Sequence, residues 1–240
     1  VRGCLVTGTD TGAGKTVLAA AIVAGLAAAG EPVRAHKPVV TGVDEPNGDW
    51  PADHELLGAM AGMDPHEVSP VRFGPPVSPH LAAELAGQPL DPRRILAAAR
   101  AAAGTGDGPL IVEGVGGLLV PLAPDYLIAD LAAELGLPVV IAARPGLGTI
   151  NHSLLTVAAA RARGLDVRSV VLTPWPRRPG EIERSNRDTI GRLGGVGVHV
   201  LPEVAEPSRE LLAAAAAPLP LREWISAEAV LPHASDRARR

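Results

Sequence analysis

Residues 8–16 read Gly-Thr-Asp-Thr-Gly-Ala-Gly-Lys-Thr and lie between a short apolar run and a long alanine-rich stretch. This feature restricts the fold more than any other in the chain. A glycine-rich turn from a buried strand into a helix lets successive backbone N–H groups face an anion, and the helix start adds partial positive charge. Lysine and a hydroxyl at the head of that helix are the usual partners of phosphate oxygens and a divalent cation. The spacing from Gly8 is one residue longer than the common phosphate-loop pattern. Lys15 is expected to reach the β- and γ-phosphates of a nucleoside triphosphate, and Thr16 to ligate Mg²⁺. A phosphate loop alone says nothing about the reaction.

The rest of the chain supplies the context that such a loop needs. Apolar runs at 3–6, 33–37, 110–113, 139–143, 167–172 and 196–201 have the length of strands buried on both faces. Helical patterns at 15–29, 53–61, 81–86, 92–103, 128–135, 150–163, 180–193 and 207–216 alternate with them. The alternation predicts an α/β fold of the P-loop NTPase type, a mostly parallel sheet with helices on both faces. Segments 43–52 and 64–80 are rich in Pro, Gly and Asp and are expected to be loops. Residues 1–225 are read as one domain and 226–240 as a frayed tail.

Composition excludes several classes. With one cysteine, Cys4, there is neither an internal disulfide nor a multi-cysteine zinc site. A net charge of -4 and 2% aromatics argue against a nucleic-acid-binding surface. No apolar run approaches the roughly 20 residues of a membrane span, and no leader-like segment opens the chain, so a cytoplasmic location is expected.

Two further clusters stand at strand ends. In His36-Lys37-Pro38-Val39-Val40-Thr41-Gly42, Lys37 closes an apolar strand. In a parallel sheet that end lies beside the phosphate loop, so Lys37 is expected to bring a second ammonium to the phosphates. In Ile111-Val112-Glu113-Gly114-Val115-Gly116-Gly117, an acid ends a buried strand. Such a carboxylate is costly without a cation, which favours a metal role over helix capping. Asp53 opens a helix, and on local sequence alone a simple N-cap and a metal ligand are equally good readings.

Taken together, Gly8-Thr9-Asp10-Thr11, Gly14-Lys15-Thr16, Lys37-Pro38-Val39, Thr41-Gly42, Ser78-Pro79-His80, Val112-Glu113-Gly114, Gly116-Gly117, Pro121-Leu122 and the stretch from Leu147 to His152 resemble the dethiobiotin synthetase family. The motifs follow the family's order from residue 8 to about residue 190. The resemblance implies a homodimer that closes the ureido ring of dethiobiotin from 7,8-diaminononanoate, CO2 (bicarbonate in solution) and ATP with Mg²⁺. It implies that Lys15, Lys37 and Thr11 act on phosphate and carbamate. Thr16, Asp53 and Glu113 correspond to the magnesium ligands. Gly12, Ala13, Gly14, Lys15, Thr16 and Val17 correspond to the nucleotide-binding loop. Thr173, Pro202 and Glu203 fall where the base is held. Thr41, Gly116 and Gly117 fall near the diamine. Gly148, Thr149, Ile150 and Asn151 correspond to a helix start that binds the substrate's carboxylate from the partner subunit.

The chain also departs from the family. Many members carry Glu and Val at the positions of Gly12 and Ala13, and Asn where Thr173 stands. A threonine cannot make the two-sided hydrogen bonds of an amide. Turnover of other nucleoside triphosphates is therefore expected. A competing class, the partition and septum-site switch ATPases, usually has a lysine near position 10, where this chain has Asp10. A related cobyrinate synthase would need a further glutaminase domain. His54, His66, His199 and His233 lack metal-ligand spacing and are expected at the surface or in loops, and His80 and His152 as structural contacts.

Overall fold

The structure, a computed structural model, describes residues 1–45, 48–104 and 108–226. The elements, in chain order, are β1 (Gly3–Gly8), α1 (Lys15–Ala28), β2 (Arg34–His36), β3 (Val40–Thr41), α2 (Asp53–Ala61), α3 (Pro65–Val68) and β4 (Arg72–Phe73). Next come α4 (Pro79–Leu85), α5 (Pro92–Ala102), β5 (Leu110–Gly117), β6 (Pro121–Ala123), β7 (Tyr126–Leu127), α6 (Ile128–Leu135) and β8 (Val139–Ala143). The last are α7 (Thr149–Ala162), β9 (Val167–Trp175), α8 (Glu181–Gly194), β10 (Gly197–Pro202), α9 (Arg209–Ala216) and α10 (Leu221–Trp224).

Six strands form one parallel sheet in the order β10-β9-β8-β1-β5-β2. β1 and β8 are buried along their whole length, as their unbroken apolar runs require. One face of the sheet packs on α1, α2, α9 and α10, and the other on α4 to α8. Helix α1 is alanine-rich and nine of its 14 residues are buried, so neighbouring helices come close. A Cβ on Gly25 would lie 2.7 Å from Leu221 and 3.1 Å from Ala216. Cys4 is buried in β1, where burial pushes its thiol up to about 12, as expected of an inert apolar cysteine.

The segment 64–80, expected as loop, instead holds α3, β4 and the start of α4. These elements are two to four residues long or open on Pro79, too short to leave a periodic pattern. β4 pairs with β3 in a small parallel ribbon beside the sheet. β9 also runs past its expected end at Leu172 to Trp175. Its pairing with β8 stops at Leu172, so Pro174 costs no ladder bond on that side. His54 differs from expectation as well: it is buried on α2, with Arg72 3.4 Å from its Nε2. His199 is half-buried, 2.8 Å from Ser169 Oγ and edge-on to Trp224. His233 and, from residue 227 on, the expected tail lie outside the described residues.

His36 in β2 is 1% exposed, and burial pushes its imidazole down to about 4, partly offset by the Val68 backbone. The folded protein therefore refuses a proton that the unfolded chain takes up near pH 6.5. This contribution is fully present above about pH 6.5 and fades as the pH falls toward 4. Over that interval it amounts to about 3 kcal/mol. Denaturant melts between pH 7 and 4 should show a shallower acid loss in His36→Leu than in the wild type. Parallel slopes would remove His36 from the acid limb.

Candidate active site

All six strands end on the same edge of the sheet, and the phosphate loop leaves β1 there. Gly12 and Gly14 have positive φ of 71° and 85°, a region that side chains disfavour. Gly14 is also crowded, because a Cβ would sit 2.6 Å from the Thr173 methyl. That close approach brings the end of β9 directly under the loop. Lys15 opens α1 and is 7% exposed, its ammonium donating to the Asp10 carbonyl at 3.0 Å.

Around the loop is a pocket of about 400 Å³. It gathers Thr11, Gly12, Gly14, Lys15, Thr16, Val17, Lys37, Thr41, Asp53, Glu113 and Gly116, all expected from the sequence, together with Val115. Ala13 is buried behind it. Gly117 lines a neighbouring pocket with Thr9, Asp10 and Thr11. Thr173 is buried against Gly14 and does not line the 400 Å³ pocket. Pro202 and Glu203 stand beside Trp175, two residues beyond Thr173, with the Glu203 amide donating to the Trp175 carbonyl at 3.3 Å. Gly148, Thr149, Ile150 and Asn151 form the start of α7, with Gly148 at φ 90°.

At the centre of the pocket, Lys37 Nζ lies 2.6 Å from Glu113 Oε1 and 2.7 Å from Asp53 Oδ2. Thr16 Oγ1 lies 2.8 Å from the same Glu113 oxygen and 2.9 Å from Asp53 Oδ1. The hydroxyl has one proton for two carboxylates, so one of these contacts lacks a donor. Glu113 is fully buried, and its Oε2 has no hydrogen-bond partner. Burial pushes the Glu113 carboxyl above its usual range, against the pull of Lys37. Burial would also raise Asp53, but the Lys37 ammonium outweighs it and holds Asp53 below the usual carboxylate value. Lys37 is raised: burial works against its charge, and the two carboxylates overcome that cost. Lys15 is lowered by burial, with Glu113 pulling it back and Lys37 pushing further down.

These atoms fit a small, hard divalent cation. The donors are a hydroxyl and two carboxylates, all oxygen, and one carboxylate oxygen is both buried and unpartnered. Among the described residues no three His, Cys, Asp or Glu side chains form a complete metal cage. Phosphate oxygens and water would have to complete the shell, as is usual for Mg²⁺. Asp53 is not the cap of α2. Ala52 holds that position, its amide donating to Glu55 at 3.0 Å, which leaves the Asp53 carboxylate to the pocket.

Two residues that frame the site, Arg144 and Asn186, were missed in the sequence. Arg144, just after β8, donates to the Thr11 carbonyl at 2.9 Å and lies 3.6 Å from the Asp10 carboxylate. Asn186 of α8 donates to the carbonyls of Pro145 and Gly146 at 2.9 and 3.1 Å. Asp10 itself accepts the Thr11 amide at 2.7 Å. Arg144 carried the signal that singled out Lys37, a cation closing an apolar strand, but only the strand order shows that β8 borders β1.

A family profile described as an AAA domain matches residues 2–213. The ATP-dependent dethiobiotin synthetase BioD of Anaeromyxobacter sp. (strain Fw109-5) is 43% identical over 206 residues, 82% of this chain and 91% of that protein. Its namesake in Mycobacterium sp. (strain KMS) is 40% identical over 193 residues, covering 80% and 84%. That of Bacillus subtilis (strain 168) is 35% identical over 213 residues, covering 88% and 91%.

Proposed function

The chain belongs to the family of ATP-dependent dethiobiotin synthetases, and from that premise we propose how its own residues carry the reaction. It is an ATP-dependent ligase of biotin biosynthesis that closes the ureido ring of dethiobiotin from 7,8-diaminononanoate and CO2. One observation supports the assignment of roles above all others: two lysines, two carboxylates and a hydroxyl converge on one pocket beside the phosphate loop.

One amine of the substrate takes up CO2 to give a carbamate and a proton. A carbamate oxygen attacks the γ-phosphorus of ATP and ADP leaves. The second amine attacks the carbonyl of the resulting carbamic-phosphoric anhydride, and phosphate and a proton leave as the ring closes. Both amines sit on one chain, so closure gains from proximity. Lys37, kept protonated by its two carboxylates, supplies fixed positive charge to the carbamate. Lys15 faces the phosphates, whose negative charge offsets the burial that lowers its pKa. Thr11 and Thr41 orient the diamine and carbamate. Thr16, Asp53 and Glu113 hold Mg²⁺, which neutralises charge on the transferring phosphoryl group when bound.

The loop from Gly12 to Val17 wraps the phosphates, while Pro202 and Glu203 face the base and Thr173, assigned to it by resemblance, packs under the loop beside them. Gly116 and Gly117 let substrate approach the backbone. The start of α7, from Gly148 to Asn151, offers amides to the substrate carboxylate of a second subunit. The reading includes a homodimer. Leu119, Leu147 and Leu155 support it, being 50%, 98% and 60% exposed in the chain alone, with Leu119 and Leu155 flanking the phosphate loop. It also includes a cytoplasmic setting, and no described helix is long and apolar enough to cross a membrane.

The test is phosphate release with Mg²⁺ and bicarbonate, with and without 7,8-diaminononanoate, and a mass measurement on the product. Diamine-dependent phosphate and a dethiobiotin mass are expected. Hydrolysis indifferent to the diamine would favour the switch ATPases instead. The same assay with CTP and GTP should give measurable turnover beside ATP, because Thr173 lacks the amide that reads adenine in many family members. Negligible rates with both would assign base selection elsewhere.

A further inference from the structure

A phosphate loop works only while its N–H groups, and not its carbonyls, face the anion. The Thr11–Gly12 peptide is the vulnerable point. Gly12 has no side chain to limit rotation about the peptide, and it stands at φ 71°. A flipped peptide would turn the Thr11 carbonyl toward the pocket that Thr11 and Gly12 line.

Arg144 opposes that flip. Its Nη2 donates to the Thr11 carbonyl at 2.9 Å. In a planar trans peptide the following N–H points opposite to the carbonyl, so a carbonyl tied to Arg144 turns the Gly12 N–H away from it. The same nitrogen lies 3.6 Å from the Asp10 carboxylate, which in turn accepts the Thr11 amide at 2.7 Å. The peptides on both sides of Thr11 are thus held by one guanidinium and one carboxylate. Asp10 also presents its carbonyl to Lys15 at 3.0 Å, which places the brace one contact from the lysine assigned to the phosphates.

The brace is anchored in its turn. Arg144 begins the loop between β8 and α7. Asn186, 7% exposed, spends both hydrogens of its amide on the next two carbonyls of that loop. A Cβ at residue 12 would meet Arg144 Nη2 at 3.6 Å, an ordinary contact distance, so the guanidinium lies directly alongside the loop.

We propose that Arg144 is a positioning residue for phosphoryl transfer, fixing the Thr11–Gly12 peptide so that the Gly12 N–H faces the phosphates of ATP. The proposal rests on the functional reading above. Arg144→Ala should lower kcat about tenfold or more and weaken the binding of a non-hydrolysable ATP analogue by a similar factor. The KM for the diamine should stay within twofold. The melting temperature should barely move, because Arg144 is largely exposed and its ion pair is a surface one. Arg144→Lys can reach the same carbonyl and should recover much of the loss. Asp10→Asn keeps an acceptor for the Thr11 amide, and its effect should be less than additive with Arg144→Ala.

Unchanged kcat and analogue affinity in Arg144→Ala would overturn the proposal. So would a loss that Arg144→Lys does not relieve and that comes with a melt several degrees lower. Calorimetric titration of the analogue keeps the two readings apart. A wild-type protein without diamine-dependent turnover overturns the functional reading, whereas the brace stands or falls on the affinity difference between wild type and Arg144→Ala.

Discussion

Exchanging Lys37 for alanine lowers diamine-dependent phosphate release at least about a thousandfold, the scale expected when a fixed charge is removed from a reacting anion. Two losses coincide. The carbamate loses its ammonium, and the carboxylates of Asp53 and Glu113, each within 2.7 Å of Lys37 Nζ, lose the cation between them. Glu113 is fully buried, so breaking this pair also destabilises the fold, by about 3–5 kcal/mol. The sign of the pH effect follows. Lys37 is the main influence pulling the Glu113 carboxyl down, and without it that carboxyl rises further. The acid limb of the residual activity therefore moves to higher pH. Phosphate assays across pH 6–9 and denaturant melts measure both effects. Turnover within tenfold of the wild type would take Lys37 out of the chemistry.

Glu113→Gln gives the second large effect. The amide keeps the shape of the side chain and removes its charge. Lys37 retains Asp53 as a partner, so the stability cost is smaller than for Lys37→Ala. Turnover should fall about a hundredfold or more, and the Mg²⁺ concentration for half-maximal rate should rise, because a neutral amide is a poor ligand for a hard cation. A magnesium titration of the variant separates two roles for Glu113. A lower rate with an unchanged magnesium requirement would leave Glu113 as a counter-ion to Lys37 and nothing more.

The sequence made the phosphate loop, Lys37 and Glu113 legible because each is a local signal, a polar residue placed where a buried apolar run stops. The six sheet strands could be read in a similar way, from short runs rich in apolar residues, although Arg34, His36, Arg168 and His199 interrupt β2, β9 and β10. What stayed hidden depends on neighbours distant in the chain. The residues around Asp53 suit a cap and a ligand equally, and only the family resemblance favours the ligand; the 2.7 Å contact with Lys37 cannot be read from its own stretch. Thr173 invited a reading by base recognition alone, yet its methyl also packs beneath Gly14, 159 positions earlier in the chain. His54 looked like a surface residue because nothing in its own stretch announces that α2 turns that side inward. The ribbon of β3 and β4 is two residues wide on each side and has no period to detect.

The strand order has a consequence for how such a protein can change over generations. Residues assigned to phosphate and metal stand just after β1, in β5, at the end of β2 and at the start of α2. Those assigned to the base stand on or just after β9 and β10, with β8 between the two groups. Lineages can therefore drift in which nucleoside triphosphate they consume while the reaction centre is inherited intact. Thr173 is where that freedom narrows. A replacement that suits another base must also leave room for the glycine resting on it.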